Sequence, residues 1–205
     1  MATHFYTASS LDGFIADSNN GLEWLFVQEI DQKGPMSYGS FFTGIGAMCM
    51  GATTYEWVLE HDALLERPLK WADYYGDVPA WVFTHRSPAL IPGADLTFVQ
   101  GDVHPVHEAM VTAANGKNIW IVGGGDLAGA FADAGLLDEI ILGVAPVTLG
   151  SGAPLLPRRL SSQQLVLTGV AQVGQFAYLT YGVGKLAQLG RHLRAGTLGL
   201  EPVNS

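Results

Sequence analysis

The chain has 205 residues, of which 48% are hydrophobic and 14% charged, and its formal net charge is −9. This length suits one buried core, the sparse charge favours a homodimer, and the acidity argues against nucleic acid or anionic membrane as a partner. Cys49 stands alone, no stretch approaches the ~20 apolar residues of a membrane span, and the N-terminus lacks the basic region of a signal peptide, so we expect a cytoplasmic protein.

Short apolar runs separated by polar turns predict alternating strands and helices in the first part of the chain. In chain order the predicted elements are a strand over Phe5–Ser10, a turn at Asp12-Gly13, an extended segment over Phe14–Ala16, a helix over Glu23–Asp31, a helix over Tyr38–Ile45, a strand over Ala47–Met50 and a helix starting over Thr53–Val58. Residues 60–77 hold several aromatic side chains and are predicted to be irregular.

The second part of the chain continues the alternation and closes on a hairpin. The predicted elements are strands over Ala80–Thr84 and Leu96–Val99, a helix over Val103–Ala114, a strand over Ile119–Val122, a helix over Leu127–Ala134, a strand over Glu139–Pro146, a loop over Leu149–Pro154, and hairpin strands over Leu165–Val173 and Phe176–Val183. This order predicts an α/β three-layer sandwich with a mainly parallel central sheet and an antiparallel C-terminal hairpin. We expect one domain over residues 1–184 and a tail over 185–205, partly helical from Lys185 to Arg194.

Three consecutive glycines, Gly123, Gly124 and Gly125, separate the strand Ile119–Val122 from the helix that follows. Asp126 is suited to the N-cap of that helix, with Leu127 as its first apolar residue. Bare backbone N–H groups and the helix dipole favour an anion here, and glycine lets the backbone approach a ligand closely. Because three glycines cost backbone entropy and add no packing, a nucleotide phosphate is a better interpretation than a plain turn.

A Rossmann dehydrogenase is an alternative, because Gly123-x-Gly125-x-x-Ala128 fits the relaxed fingerprint. However, the acidic residue expected about 20 positions later is absent, since Asp138 and Glu139 precede the next strand. Tyr181 and Lys185 have the spacing of a short-chain dehydrogenase pair, but at a strand end rather than on a helix. The glycine turn therefore indicates a phosphate site of another fold.

Two further strand ends carry comparable chemistry: Gly51-Ala52-Thr53-Thr54 follows one strand and Thr84-His85-Arg86 follows another. In open α/β sheets, ligands bind at the carboxyl ends of strands. Two helix N-termini suit a pyrophosphate, and the guanidinium of Arg86 suits a 2′-phosphate, although an exposed arginine at a turn is an equally good interpretation of Arg86. His104 and His107 have a metal-like spacing without further ligands, so we expect no metal site.

Taken in order, five segments resemble the dihydrofolate reductase superfamily, in the branch of the C-terminal reductase domain of bacterial riboflavin biosynthesis. They are Ser10–Ala16, Met50–Glu56, Val82–Arg86, Val122–Gly125 and Ala145–Gly152. The resemblance covers about residues 4–183 and implies an NADPH-dependent reductase of a small pterin- or pyrimidine-like molecule, similar to 5-amino-6-(5-phosphoribosylamino)uracil reductase. A nucleotide- or flavin-binding module without turnover is the alternative.

The resemblance also implies roles for individual residues. Ala8, Ile15 and Ala16 would border the nicotinamide, and Thr84, His85 and Arg86 would bind the 2′-phosphate end of the cofactor. The pyrophosphate would be held by Gly51, Thr53, Thr54, Gly123, Gly124, Gly125, Asp126 and Leu127. Glu29 would be the proton donor on the helix after Gly21–Leu25, or else a solvated carboxylate. Ala52 stands where dihydrofolate reductases usually have a basic residue, which leaves the choice between NADPH and NADH open.

Overall fold

The computed structural model describes residues 1–29, 34 and 36–184. Its strands are β1 (Thr3–Ser9), β2 (Phe14–Ala16), β3 (Ile45–Gly51), β4 (Ala80–Phe83), β5 (Leu96–Val99), β6 (Asn118–Gly123), β7 (Glu139–Val144), β8 (Ala153–Pro154), β9 (Leu165–Val173) and β10 (Phe176–Val183). Its helices are α1 (Glu23–Phe26), α2 (Tyr38–Phe42), α3 (Ala52–His61), α4 (Leu69–Tyr75), α5 (Val103–Ala114) and α6 (Gly125–Asp133).

Eight strands form one sheet in the order β5-β4-β3-β6-β1-β7-β10-β9. All neighbours from β5 to β7 are parallel, whereas β10 runs antiparallel to both β7 and β9. The short strands β2 and β8 pair separately. This arrangement confirms the predicted α/β fold, a mainly parallel sheet that ends in an antiparallel hairpin.

Both faces of the sheet are covered, because successive side chains of each strand point to opposite faces. On one face, Cys49 and Ile121 pack in a cluster with Phe131 of α6. On the other face, Met50 packs in a cluster with Trp71 of α4. Burying each large apolar side chain contributes about 1.5–3 kcal/mol to the stability of the fold. These two layers therefore hold in place the strand ends that carry the site.

Element borders follow the prediction where the signals are local. The carboxylate of Asp102 accepts a hydrogen bond from the His104 N–H at 2.9 Å and so caps α5. At the other end Asn115 adopts φ 48° and Gly116 φ 84°, which ends the helix after Ala114, the last residue of its predicted range. No helix in the described part of the chain is long and apolar enough to cross a bilayer.

Three predicted elements were wrong. The helix predicted over Glu23–Asp31 is only α1, which ends at Phe26, and residues 30–33 lie outside the described range. The helix predicted to reach Ile45 ends at Phe42. Ile45 instead begins β3, where its side chain is buried and only 1% exposed. Residues 60–77 contain α4, which buries Trp71 and Tyr75 and is therefore favoured by tertiary packing. The predicted tail over 185–205, with its helix from Lys185 to Arg194, also lies outside the described residues.

Candidate functional site

A cleft of about 350 Å³ opens at the carboxyl ends of the adjacent strands β3 and β6, within the usual size range of small-molecule sites. From β3 the chain passes outward to β4 and β5, and then returns to β6 on the other side of β3. The cleft therefore lies at a topological switch point, where open α/β sheets bind their ligands.

The structure brings most of the predicted site residues together in this cleft. Those that line it are Ile15, Ala16, Gly51, Thr53, Thr54, Gly123, Gly124, Gly125, Asp126 and Leu127. Sequence reasoning did not assign the other lining residues to the site: Thr7, Asn20, Leu22, Ala52, Trp57, Val122, Ala153 and Pro154.

Glycine precedes both helices that begin at the cleft. Gly51 is the N-cap of α3 and Gly124 is the N-cap of α6, and neither has a side chain to accept a hydrogen bond from the first turn. The first N–H groups of both helices are thus free of a side-chain cap at the N-cap position, as an anion site requires. Asp126 was predicted as the N-cap of α6, but it lies inside the first turn because α6 starts at Gly125.

The three glycines of the turn differ in what surrounds them, and the peptide bond between Gly123 and Gly124 is cis. A Cβ on Gly123 would lie 2.9 Å from the Thr54 hydroxyl oxygen, so the two turns approach closely there. A Cβ on Gly125 would overlap the carbonyl oxygen of Pro154 and lie 2.5 Å from that of Leu155. A Cβ on Gly124 would meet no atom within 4 Å. Of the three glycines in this turn, only Gly124 therefore has open space where a side chain would project.

The segment Ala153–Leu155 connects the two sides of the cleft. Strand β8 pairs with β2, with Pro154 opposite Phe14, and the Leu155 N–H donates to the Gly13 carbonyl oxygen at 2.9 Å. The carbonyls of Pro154 and Leu155 also approach Gly125 on α6. One short segment thus fixes the position of β2 relative to the glycine turn.

Asp12 holds the end of β1 to the loop before this segment. Its carboxylate accepts hydrogen bonds from the Ser10 hydroxyl at 2.6 Å, the Leu149 N–H at 3.0 Å and the Gly150 N–H at 2.7 Å. These bonds, that of Ser10 foremost, hold the pKa of Asp12 below its ordinary value of 3.8. Asp12 is therefore a structural anchor of the loop.

We expect Asp12→Asn to lower the thermal unfolding midpoint at pH 7. A depressed carboxyl pKa stabilises the fold fully above the ordinary value of 3.8, and this contribution is lost as the pH falls through the folded-state pKa. The difference from wild type should therefore shrink as the pH is lowered from 7 to below 3.8. Thermal scans of both proteins across this range test the expectation, and a difference that is independent of pH would contradict it.

The predicted 2′-phosphate cluster lies beside the cleft rather than in its lining. Thr84, His85 and Arg86 follow β4, the neighbour of β3. Nη1 of Arg86 is 2.6 Å from Oε2 of Glu56 on α3, and the Arg86 side chain is 61% exposed. The Arg86 N–H donates to the Thr84 hydroxyl at 2.9 Å, while Nδ1 of His85 lies 3.3 Å from Oε1 of Gln100. The guanidinium is thus accessible but already paired.

Two further predicted residues, Ala8 and Glu29, also lie outside the cleft lining. Ala8 lies in β1 opposite Gly143, and its neighbour Thr7 lines the cleft instead, since adjacent strand residues face opposite sides. Glu29 was placed on a helix, but α1 ends before it. Glu29 is exposed, and its carbonyl oxygen is 3.7 Å from the Cβ position of Gly174 in the β9–β10 turn.

Comparisons with known proteins agree with this architecture. The RibD C-terminal domain matches residues 74–178. The uncharacterized protein YwjB of Bacillus subtilis (strain 168) is 34% identical over 179 residues, which cover 87% of this chain and 96% of that protein.

Two solved structures show the same fold. One is a protein from Shewanella sp. PV-4 whose name refers to riboflavin biosynthesis. Its TM-score is 0.73 at 23% identity, and the match covers 90% of this chain and 100% of that one. Dihydrofolate reductase from Enterococcus faecalis, complexed with NADP(H), has a TM-score of 0.56 and 15% identity, covering 90% of this chain and 97% of that one. With its dihydrofolate reductase-like fold, this chain belongs to the RibD C-terminal domain family.

Proposed function

We propose that this protein is an NADPH-dependent reductase that transfers a hydride to a small pterin- or pyrimidine-like molecule. The observation that carries the proposal is that two helix N-termini, those of α3 and α6, open into one cleft at neighbouring parallel strand ends. A dinucleotide pyrophosphate carries the negative charge that such paired N-termini favour. Family membership supports a reductase-type activity.

The residues of the cleft fit the proposed cofactor. Gly124 leaves open space where any side chain would project, so an anion can approach the backbone N–H groups of the turn. On the α3 side, Thr53 and Thr54 offer hydroxyl groups. We assign the pyrophosphate to these two turns, whose residues the family resemblance also implies for it.

Ile15 and Ala16 of β2 also line the cleft, and they offer an apolar border for a nicotinamide ring. When bound, NADPH supplies the hydride. Apolar side chains here exclude water from the ring, which strengthens the electrostatic interactions made within the cleft. Ala8 was expected to share this border, and we assign that position to Thr7 instead, because Thr7 lines the cleft.

Trp57 supports a flat substrate. It lines the cleft, and its ring stacks on that of His61 with centroids 4.3 Å apart. A fixed aromatic wall binds flat heterocycles through its large apolar face. We therefore assign the pterin or pyrimidine ring of the substrate to the part of the cleft between Trp57 and the nicotinamide, because hydride transfer requires the two rings to be in contact.

The position of Glu29 favours a second candidate, a nucleotide- or flavin-binding module without turnover. Reduction of a C=N or C=O bond needs a proton delivered nearby, and Glu29 is exposed outside the cleft lining. Glu29 remains our proposed proton donor if the protein turns over a substrate. The variant Glu29→Gln tests this role. A fall in turnover number with unchanged NADPH affinity is expected for a proton donor.

Titration of the purified protein with NADPH, followed by nicotinamide fluorescence, tests the proposed function. Sustained NADPH oxidation is then measured with a panel of pterins, pyrimidines including 5-amino-6-(5-phosphoribosylamino)uracil, and quinones. Turnover with a heterocycle supports the reductase and refutes the binding module. Saturable NADPH binding without turnover across the panel supports the binding module. The absence of binding at near-millimolar NADPH refutes both an NADPH-dependent reductase and a module that binds NADPH.

We also propose a homodimer that works in the cytoplasm. Strand β9 is an edge of the described sheet, and its Leu167 and Val170 are 51% and 68% exposed. An apolar edge strand of this kind is commonly covered by a partner. Light scattering on the wild type and on Val170→Lys tests the dimer, which the lysine should weaken.

A further inference from the structure

Arg158 lies along α6, the helix whose N-terminus opens the cleft. Its Nη1 is 3.1 Å from Oδ1 of Asp126 in the first turn, and its Nε is 2.8 Å from Oδ2 of Asp133 at the helix end. Nη1 also donates to the Pro157 carbonyl oxygen at 2.8 Å. The guanidinium is thus held by carboxylates at both ends of one helix.

Gly129 makes room for this side chain. A Cβ on Gly129 would lie 2.7 Å from Cγ and 2.9 Å from Nε of Arg158. Glycine inside a helix costs about 0.5–1 kcal/mol relative to alanine, so its presence here needs a reason. Close passage of the Arg158 side chain across the helix surface supplies that reason.

The charge balance of the cleft makes this arginine relevant to ligand binding. Among the described lining residues, Asp126 is the only one with an ionisable side chain. It sits in the first turn of α6, where the pyrophosphate is proposed to bind, and its side chain is 84% exposed. An unpaired carboxylate at this position would repel a phosphate. Ala52 at the start of α3 supplies no compensating cation.

We propose that Arg158 is a positioning residue for the cofactor, which neutralises Asp126 so that an anionic pyrophosphate can approach the N-terminus of α6. This inference rests on the proposed function. Arg158 acts through Asp126 and makes no contribution to hydride transfer. Arg158 thus places a positive charge at this edge of the sheet, where Ala52 at the start of α3 carries none.

A set of matched variants tests the proposal. Arg158→Gln removes the charge but retains a long side chain over Gly129, and Arg158→Lys retains the charge. Arg159→Ala is the control, because it removes the same charge from an exposed neighbour that makes no ion pair within the described residues. NADPH dissociation constants are measured at low and high salt, beside thermal unfolding midpoints.

We expect Arg158→Gln to weaken NADPH binding about two- to fivefold at low ionic strength and less at high salt, the range for exposed charge interactions. Arg158→Lys should retain most of the affinity, and Arg159→Ala should change it by less than about twofold. Asp126→Asn should restore the affinity of Arg158→Gln, since the carboxylate to be neutralised is then gone.

Three results would overturn the inference. They are equal losses in Arg158→Gln and Arg159→Ala, no rescue by Asp126→Asn, and a lowered unfolding midpoint with unchanged affinity, which would show a purely structural role through Asp133. Failure of the wild type to bind NADPH refutes the proposed function itself, and this outcome is separate from all three.

Discussion

Gly124→Val is expected to lower the affinity for NADPH at least tenfold while the protein stays folded. Gly124 has φ −91° and ψ 173°, an extended conformation that valine adopts readily, and its Cβ would meet no atom within 4 Å. The added methyl groups therefore occupy the space through which a phosphate must approach the turn. Each charge-assisted N–H bond lost there costs about 1.5–3 kcal/mol. Fluorescence titration measures the loss, and circular dichroism checks the fold.

Gly125→Ala is the contrasting variant for this experiment. Its Cβ would overlap backbone atoms of Pro154 and Leu155, so we expect a loss of about 1–3 kcal/mol in the free energy of unfolding, measured in urea. Gly124→Val should cost far less stability than Gly125→Ala. A folded Gly124→Val protein that binds NADPH at wild-type strength would falsify the assignment of this turn to the cofactor.

Arg86→Ala is expected to weaken NADPH binding about ten- to hundredfold and to leave NADH binding nearly unchanged. An arginine–phosphate contact contributes about 1.5–3 kcal/mol, and NADH lacks the 2′-phosphate. The existing pair with Glu56 does not preclude this role, because an ion pair with an arginine 61% exposed is weak. Parallel titrations with both cofactors measure the ratio.

Glu56→Gln is the matched control for Arg86. It frees the guanidinium from a carboxylate 2.6 Å away and removes a negative charge beside the proposed 2′-phosphate. NADPH affinity should therefore rise relative to NADH affinity. If Arg86→Ala weakens both cofactors equally, Arg86 has a structural role and does not bind the proposed 2′-phosphate.

Sequence patterns predicted those parts of the fold that depend on neighbouring residues. Both borders of α5 follow from Asp102 and Asn115-Gly116, which act within one turn of the helix. Helix α4 was missed because its stability comes from burial of Trp71 and Tyr75 against a distant part of the sheet. Local propensity contains no information about that contact.

In the site, too, features with a local sequence signal could be predicted, whereas features that depend on distant contacts could not. Trp57 could have been identified, because it lies three and four residues after Thr54 and Thr53 on one helix and shares their face. The pairing of Arg158 with Asp126 joins residues 32 positions apart and has no local signal. Likewise, the repeated glycines are equivalent in sequence, and only their surroundings separate Gly124, open to the cleft, from Gly125, which packs on Pro154.

The segment Ala153–Leu155 has a consequence for redesign of this protein. Because it pairs with β2 on one side and packs on Gly125 on the other, a change in this segment shifts β2 and the glycine turn together. The contacts proposed for the nicotinamide and for the phosphates therefore cannot be changed separately by mutating it. The cluster Thr84–Arg86 follows a different strand and lies outside the cleft lining. A change in the proposed cofactor preference is best sought there, because substitutions at Thr84–Arg86 leave the residues that line the cleft unchanged.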